Sequence, residues 1–204
     1  MFISEDGFGA GNNLLMKDLR KPNAPVVALT TNADYIYSPM EVMGNTIYFY
    51  TNYQAPKYRL MKADIDHPGI DSWTEVIPEG ENVMSSAAII DGKLVLTYNQ
   101  DCSQHAYVYT LDGKQMHEVE LPTLGTVWFS GDKDEKEVFY GFSSFTFPSC
   151  IYQYDIDNNK SELYMAPKVD FKSDDYLTEQ IFFTSKDGSK IPMFITYKRG
   201  LNLR

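Results

Sequence analysis

The sequence predicts an all-β fold, a partial β-propeller of about three and a half four-stranded antiparallel blades. Aromatic residues make up 14% of the chain and fall in short alternating runs, without long segments of helical spacing. Four similar strand endings, at Leu19, Ile65, Leu111 and Ile156, follow one another at steps of 46, 46 and 45 residues. Each period carries signals for four strands, which is typical of a propeller blade.

Each period has the same order of elements. A polar turn joins the first strand to the second, a loop leads to the third strand, and a fourth strand closes the unit. The first strands are predicted near residues 38–43, 85–90 and 126–130, and the second near 46–51, 93–98 and 137–142. The third strands end at the repeat positions above, and the fourth lie near 73–77, 116–121 and 162–165. Residues 1–29 match only the last three strands of a blade. A β-sandwich also accommodates such strands, but it gives no reason for a repeat of constant length.

The last part of the chain departs from this repeat. Residues 180–184 read as an apolar, aromatic strand, an Asp187-Gly188 turn follows, and residues 190–198 read as the returning strand. We therefore divide the chain into propeller blades at 1–176 and the first strands of a second domain at 177–204. Because closed propellers have about four to eight blades, the expected piece is the second half of a propeller.

Three segments resemble the prolyl oligopeptidase family of serine peptidases. They are Thr51-Asn-Tyr-Gln-Ala-Pro-Lys-Tyr-Arg-Leu60, Glu137-Val-Phe-Tyr-Gly-Phe-Ser-Ser-Phe-Thr-Phe-Pro-Ser-Cys-Ile-Tyr152 and the terminal hairpin with its Ser185-Lys-Asp-Gly188 turn. The resemblance implies a serine endopeptidase that cleaves short peptides after proline, with a propeller covering an α/β-hydrolase domain. The Ser, Asp and His of the family's catalytic triad fall beyond the segments matched here, so this chain alone is expected to be inactive.

In that interpretation the propeller is a gate that admits only small, flexible peptides. Its partners would be the hydrolase domain of the same polypeptide and short proline-containing peptides. The alternative is a non-catalytic propeller module that binds a protein partner on one face. The terminal hairpin favours the first interpretation, because a free-standing propeller has no use for a hydrolase entry strand.

Four loops between second and third strands, at residues 6–13, 52–57, 99–104 and 143–149, are predicted to be long and to lie on one face. Two of them carry the clearest family resemblance. We therefore expect this face to meet the hydrolase domain, with Asn52, Arg59 and Phe145 as contacts and Lys17 at the rim. The competing interpretation is that proline and aromatic residues only fix the shape of these loops.

Composition argues against several other functions. A formal charge of −10 without a basic stripe disfavours nucleic-acid binding, and no apolar run is long enough to predict a membrane span. No spacing of ligand residues predicts a metal or a cofactor, and the three histidines are expected to be solvated, without a carboxylate to orient them. Cys102 and Cys150 are expected to be unpaired and half-buried. The sequence does not identify the cellular compartment, with the cytoplasm slightly favoured over the periplasm. Exposed strand edges favour self-association of the chain.

Overall fold

The computed structural model describes residues 2–6 and 11–201, which form antiparallel sheets with 52% strand and 3% helix. The first sheet has three strands, β1 (Phe2–Asp6), β2 (Asn12–Met16) and β3 (Val27–Ala28). Blade 1 contains β4 (Tyr37–Met43), β5 (Thr46–Thr51), β6 (Arg59–Asp64) and β7 (Thr74–Ile77). Blade 2 contains β8 (Val83–Ile90), β9 (Lys93–Gln100), β10 (Ser103–Tyr109) and β11 (Gln115–Glu118). Blade 3 contains β12 (Thr126–Ser130), β13 (Val138–Ser143), β14 (Cys150–Asp155) and β15 (Lys160–Met165).

The terminal hairpin pairs β16 (Tyr176–Thr184) with β17 (Lys190–Lys198) and joins no blade. The predicted three four-stranded blades, the three-stranded opening sheet and the low helix content are thus confirmed. Each blade keeps its strands in sequence order, as the repeat requires. The two helices in the described residues are single 3-10 turns at Ile70–Ser72 and Ser173–Asp175.

The expected long loop at residues 99–104 is wrong. Strand β9 continues to Gln100 and β10 begins at Ser103, so the connection is a two-residue turn of Asp101 and Cys102. Both turn residues have positive φ, 49° and 64°, which is the geometry of the tight hairpin turns that match strand twist. Of the loop predicted at residues 6–13, residues 7–10 lie outside the described part of the chain, while Asp6 ends β1 and Asn12 begins β2.

Apolar side chains fill the space between successive sheets, because alternate residues of each strand point to opposite neighbours. The core between blades 2 and 3 is the most aromatic, and Tyr140, Phe142 and Tyr154 are each at most 1% exposed. Leu94 and Leu96 fill the junction of blades 1 and 2, and Leu14 and Phe49 that of the opening sheet and blade 1.

Backbone hydrogen bonds and one ion pair join the blades near the turns between their first and second strands, at the end that we call the lower face. The Asp91 and Gly92 amides of blade 2 donate to the Asp132 and Lys133 carbonyl oxygens of blade 3, at 3.0 and 2.8 Å. Lys133 also reaches past blade 2, and its Nζ lies 3.6 Å from a carboxylate oxygen of Glu41 in blade 1. Polar groups from all three blades therefore meet at the lower face.

Candidate functional site: the upper face of the blades

The connections between second and third strands lie at the opposite end of the blades, which we call the upper face. They comprise residues 52–58 in blade 1, 101–102 in blade 2 and 144–149 in blade 3. This is the face on which the sequence places Asn52 and Phe145. The structure shows what these connections contact.

Successive sheets are fastened together at the upper face by one recurring hydrogen bond. The donor in each case is a backbone N–H group at the start of a blade's first strand. The acceptor belongs to the preceding sheet and lies at the start of its third strand or in the loop before that strand. The bonds run from Tyr37 to Asn12 Oδ1, from Met84 to the Lys57 carbonyl oxygen and from Val127 to Gln104 Oε1, at 2.8, 3.0 and 2.8 Å. We call these three bonds the upper-face clips.

Asn52 takes part in the first of these junctions. Its side-chain Oδ1 accepts a hydrogen bond of 2.7 Å from the Ile36 amide, and its backbone amide donates to the Ile36 carbonyl oxygen at 3.3 Å. Asn12 binds both backbone groups of the next residue with its side chain, whose Oδ1 accepts from the Tyr37 amide and whose Nδ2 donates to the Tyr37 carbonyl oxygen. The chain entering β4 is therefore held between two asparagines, one from each side. This position supports a role of Asn52 in loop shape.

Arg59 lies beside Asn52, at the start of β6. Its Nη1 is 3.3 Å from a Glu75 carboxylate oxygen, and its guanidinium carbon lies 5.9 Å from the centre of the Tyr53 ring. The Arg59 side chain is only 19% exposed, and its Nε is buried without a hydrogen-bond partner in the described part of the chain. The contacts thus fix Arg59 to its own blade.

Phe145 has a different environment, because it is 70% exposed and touches the terminal hairpin. Its ring centre lies 5.4 Å from that of Phe194 on β17. Gln180 on β16 is directly opposite Phe194 in the hairpin register, and its side-chain amide donates to the Asp101 carbonyl oxygen of blade 2. One cross-strand pair of the hairpin therefore rests on two blades at once. A cavity of about 280 Å³ adjoins this contact, lined by Cys102, Gly125, Phe145 and Phe194 among others.

Lys17 is set apart from the other predicted contacts. It follows β2, whose first residue, Asn12, makes the upper-face clip. Because the strand runs away from that face, its end brings Lys17 towards the lower face. The structure thus places Asn52 and Arg59 together in blade 1 and Phe145 in blade 3, whereas Lys17 joins neither.

Two histidines have partners that the sequence did not suggest. His105 Nδ1 lies 2.9 Å from a Glu118 carboxylate oxygen, so the expectation that no carboxylate orients a histidine is wrong. His117 Nε2 lies 2.9 Å from the Tyr154 hydroxyl of the next blade. That hydroxyl donates to Asn159 Oδ1 at 2.8 Å, and it therefore accepts from His117, whose Nε2 must carry hydrogen. The register of β10 with β11 is the signal that would have revealed the first pair.

We expect stability to depend on pH through His117. Burial lowers the pKa of His117, while Asp157 raises it and Lys93 lowers it further. A histidine whose folded pKa lies below its unfolded value of about 6.5 stabilises the fold fully above that pH, and this contribution is lost as the pH falls. Chemical unfolding at pH 7.5 and pH 5.5 should show that His117→Gln loses less stability on acidification than the wild type. An exposed His67→Gln variant is the control, and equal losses in all three chains would contradict the assignment.

The two cysteines are free, as expected, but neither is half-buried: Cys102 is exposed and Cys150 is buried. Burial raises the pKa of the Cys150 thiol. Within residues 2–6 and 11–201, no three His, Cys, Asp or Glu side chains are grouped as metal ligands. No helix in the described ranges has the length and apolar character needed to cross a membrane.

Four-stranded antiparallel blades packed face to face, with their connections sharing one face, define a β-propeller domain. The terminal hairpin is added to that face. The chain belongs to the prolyl oligopeptidase family, since the sequence model of the family's N-terminal β-propeller domain matches residues 2–167. The resemblance given by the motifs is thereby confirmed.

Curated relatives and solved structures agree with this assignment. The chain is similar to the prolyl endopeptidases of Elizabethkingia miricola and Elizabethkingia meningoseptica, with 36% and 35% identity over 192 residues, 94% of this chain and 27% of each relative. A solved structure from a study of two prolyl endopeptidases and their inter-domain dynamics has a TM-score of 0.87 at 30% identity, covering 98% of this chain and 30% of that one. Prolyl oligopeptidase B from Galerina marginata has a TM-score of 0.88 at 22% identity over 98% of this chain and 30% of its own, which supports the fold alone. The chain thus spans less than a third of the length of these proteins.

Proposed function

We propose that this chain is the propeller part of a serine endopeptidase that cleaves short peptides after proline. In this proposal the propeller excludes folded proteins from the catalytic site and admits small, flexible peptides. The hydrolase domain of the same polypeptide docks on the upper face, and residues 177–204 are its first strands. The contact of Gln180 and Phe194 with blades 2 and 3 is the observation that carries the proposal.

The surface of the terminal hairpin supports a second domain at this position. Phe182, Phe183 and Met193 are 48%, 49% and 40% exposed, although these residue types are usually buried. A two-stranded hairpin is at best marginally stable by itself and needs further strands or a packed layer on its apolar faces. A sheet that continues from the hairpin would cover these side chains above blades 2 and 3. In the isolated chain, the same exposed surface favours self-association.

The alternative of a non-catalytic module that binds a protein partner is less well supported. It gives the terminal hairpin no role, and the relatives described above are prolyl endopeptidases. Neither proposal assigns a nucleophile, base and orienting carboxylate to this chain. The catalytic groups of the peptidase belong to the hydrolase domain.

Two measurements test the peptidase proposal. The 204-residue chain should not hydrolyse a chromogenic succinyl-Gly-Pro substrate, whereas the full-length protein should. The full-length protein should also cleave a short proline peptide and leave a folded protein with exposed prolines intact. A full-length protein without prolyl peptidase activity would refute the proposal, and so would activity of the 204-residue chain that survives repurification.

We expect Phe145→Ala to change catalysis in the full-length peptidase with little effect on the propeller. The Phe145 side chain is mostly exposed, so its removal should change the stability of the isolated chain by no more than about 0.5 kcal/mol. Loss of the Phe194 contact should alter kcat/KM for a proline peptide by roughly threefold to tenfold, because one aromatic pair contributes about 0.5–1.5 kcal/mol. Steady-state kinetics with Met116→Ala, an exposed residue on β11, provide the control. If the kinetic constants of Phe145→Ala equal those of the parent, Phe145 is not part of the docking face.

A further inference from the structure

A groove between blades 1 and 2 is unrelated to the hairpin contact. It has a volume of about 420 Å³ and runs along the outer strands of blade 2. One wall consists of three tyrosines, Tyr98, Tyr107 and Tyr109, and the other of residues 77–82, the end of β7 and the linker after it. All the residues that line the groove lie in blades 1 and 2 and in the linker between them.

The three tyrosines form a continuous aromatic wall. Tyr107 and Tyr109 are two residues apart on β10 and therefore share one side of the sheet. Tyr98 on β9 meets the Tyr107 ring edge-on, at 5.8 Å between ring centres and 71° between planes. The Tyr98 hydroxyl is also hydrogen-bonded to that of Tyr109, and burial raises the pKa of both phenols. The rings are thus held in place and stay neutral.

The opposite wall carries negative charge. The exposed Glu81 carboxylate has no ion-pair partner among residues 11–201, and Glu79 also lines the groove. Glu79 accepts a hydrogen bond from the Lys57 amide, and the Lys57 ammonium donates to the Glu81 carbonyl oxygen, both at 2.5 Å. The linker therefore already binds one cationic group of the protein, and the Glu81 carboxylate is left facing solvent.

We propose that this tyrosine groove binds an arginine side chain of a peptide segment. The faces of tyrosine rings attract cations, and a planar guanidinium stacks on such rings while it donates to a carboxylate. Tyr107 supplies the aromatic face and Glu81 the acceptor. The arrangement favours arginine over an uncharged side chain of similar length, because the uncharged side chain cannot form an ion pair with the Glu81 carboxylate.

The test is a titration of the isotope-labelled 204-residue chain with acetyl-Gly-Arg-Gly-amide, followed by NMR at the Gly80 and Gly113 amides that line the groove. We expect saturable shifts of both amides. The same peptide with norleucine in place of arginine should bind at least fivefold more weakly. Equal shifts with both peptides, or no saturable shift with either, would overturn the proposal.

Four variants separate recognition of the cation from a general effect on the surface. Tyr107→Leu and Glu81→Gln should each raise the Kd of the arginine peptide at least threefold. Tyr107→Phe retains the aromatic face, and Glu120→Gln removes an exposed carboxylate of the next linker, so both should stay within twofold of the wild type. If the two pairs of variants bind alike, the peptide does not occupy the groove. Peptide hydrolysis plays no part in this readout, so its outcome is independent of the proposed peptidase function.

Discussion

Replacing Gly113 by alanine is expected to destabilise the chain by at least about 3 kcal/mol, near the upper end of single substitutions. Gly113 lies in the turn between β10 and β11 with a φ of 92°, a conformation that side chains rarely adopt. A Cβ atom there would lie 2.2 Å from the Val76 carbonyl oxygen of blade 1. This oxygen belongs to the backbone of β7, so it cannot move aside without disturbing blade 1. Urea unfolding followed by circular dichroism measures the loss.

Gly92→Ala is the matched control for this effect. Gly92 also has a positive φ, 66°, but apart from its chain neighbours no described atom lies within 4 Å of the position that its Cβ would take. The backbone strain is therefore similar and the collision is absent, so a loss of about 1–2 kcal/mol is expected. If the two variants lose the same stability, close approach of blades 1 and 2 at Gly113 is not the cause.

Asn12→Ala is expected to cost about 2–4 kcal/mol, because it leaves two buried backbone groups without partners. The Asn12 side chain is hydrogen-bonded to both the Tyr37 amide and the Tyr37 carbonyl oxygen, at 2.8 and 2.9 Å. Both residues are buried, so water does not readily replace the lost groups. The free energy of unfolding from urea titration is again the measurement.

The neighbouring Asn13 provides the comparison for Asn12. It is the same residue type on the same strand, but its Oδ1 has no hydrogen-bond partner in the described part of the chain. Asn13→Ala should therefore cost less than about 1 kcal/mol. A loss as large as that of Asn12→Ala would show that strand propensity, and not the upper-face clip, controls stability here.

The blades could be predicted from the sequence because their signals are local. Strand alternation, the Asp91-Gly92 turn and the constant step from Leu19 to Ile156 depend only on residues near one another in the chain. The turn at Asp101 and Cys102 was missed because neither residue is glycine, although both adopt positive φ. Such a turn is imposed by the pairing of β9 with β10 over their whole length, which overrides local preference.

The upper face was predicted less completely. Loops with a family pattern predict that Asn52 and Phe145 make contacts, and Phe145 touches the terminal hairpin. The clip made by Asn12 could not be foreseen, because Tyr37 lies 25 residues away and its position depends on how the sheets pack. The hydrogen bond between His117 and Tyr154 could not be foreseen for the same reason, because it joins blade 2 to blade 3. Contacts of this kind follow from tertiary packing, which no local pattern contains.

The three upper-face clips also determine how the arc responds to change in its core. Each clip is a hydrogen bond from a strand amide, so the spacing of neighbouring sheets at that end is fixed by polar geometry. Between blades 1 and 2, a core side chain of different size should therefore change the gap mainly at the other end, where Lys133 meets Glu41 through flexible side chains. Blades 2 and 3 are joined at the lower end as well, by the Asp91 and Gly92 amides. The two blades that contact the terminal hairpin are thus held together at both ends, so a change in core volume elsewhere in the arc leaves that platform in place.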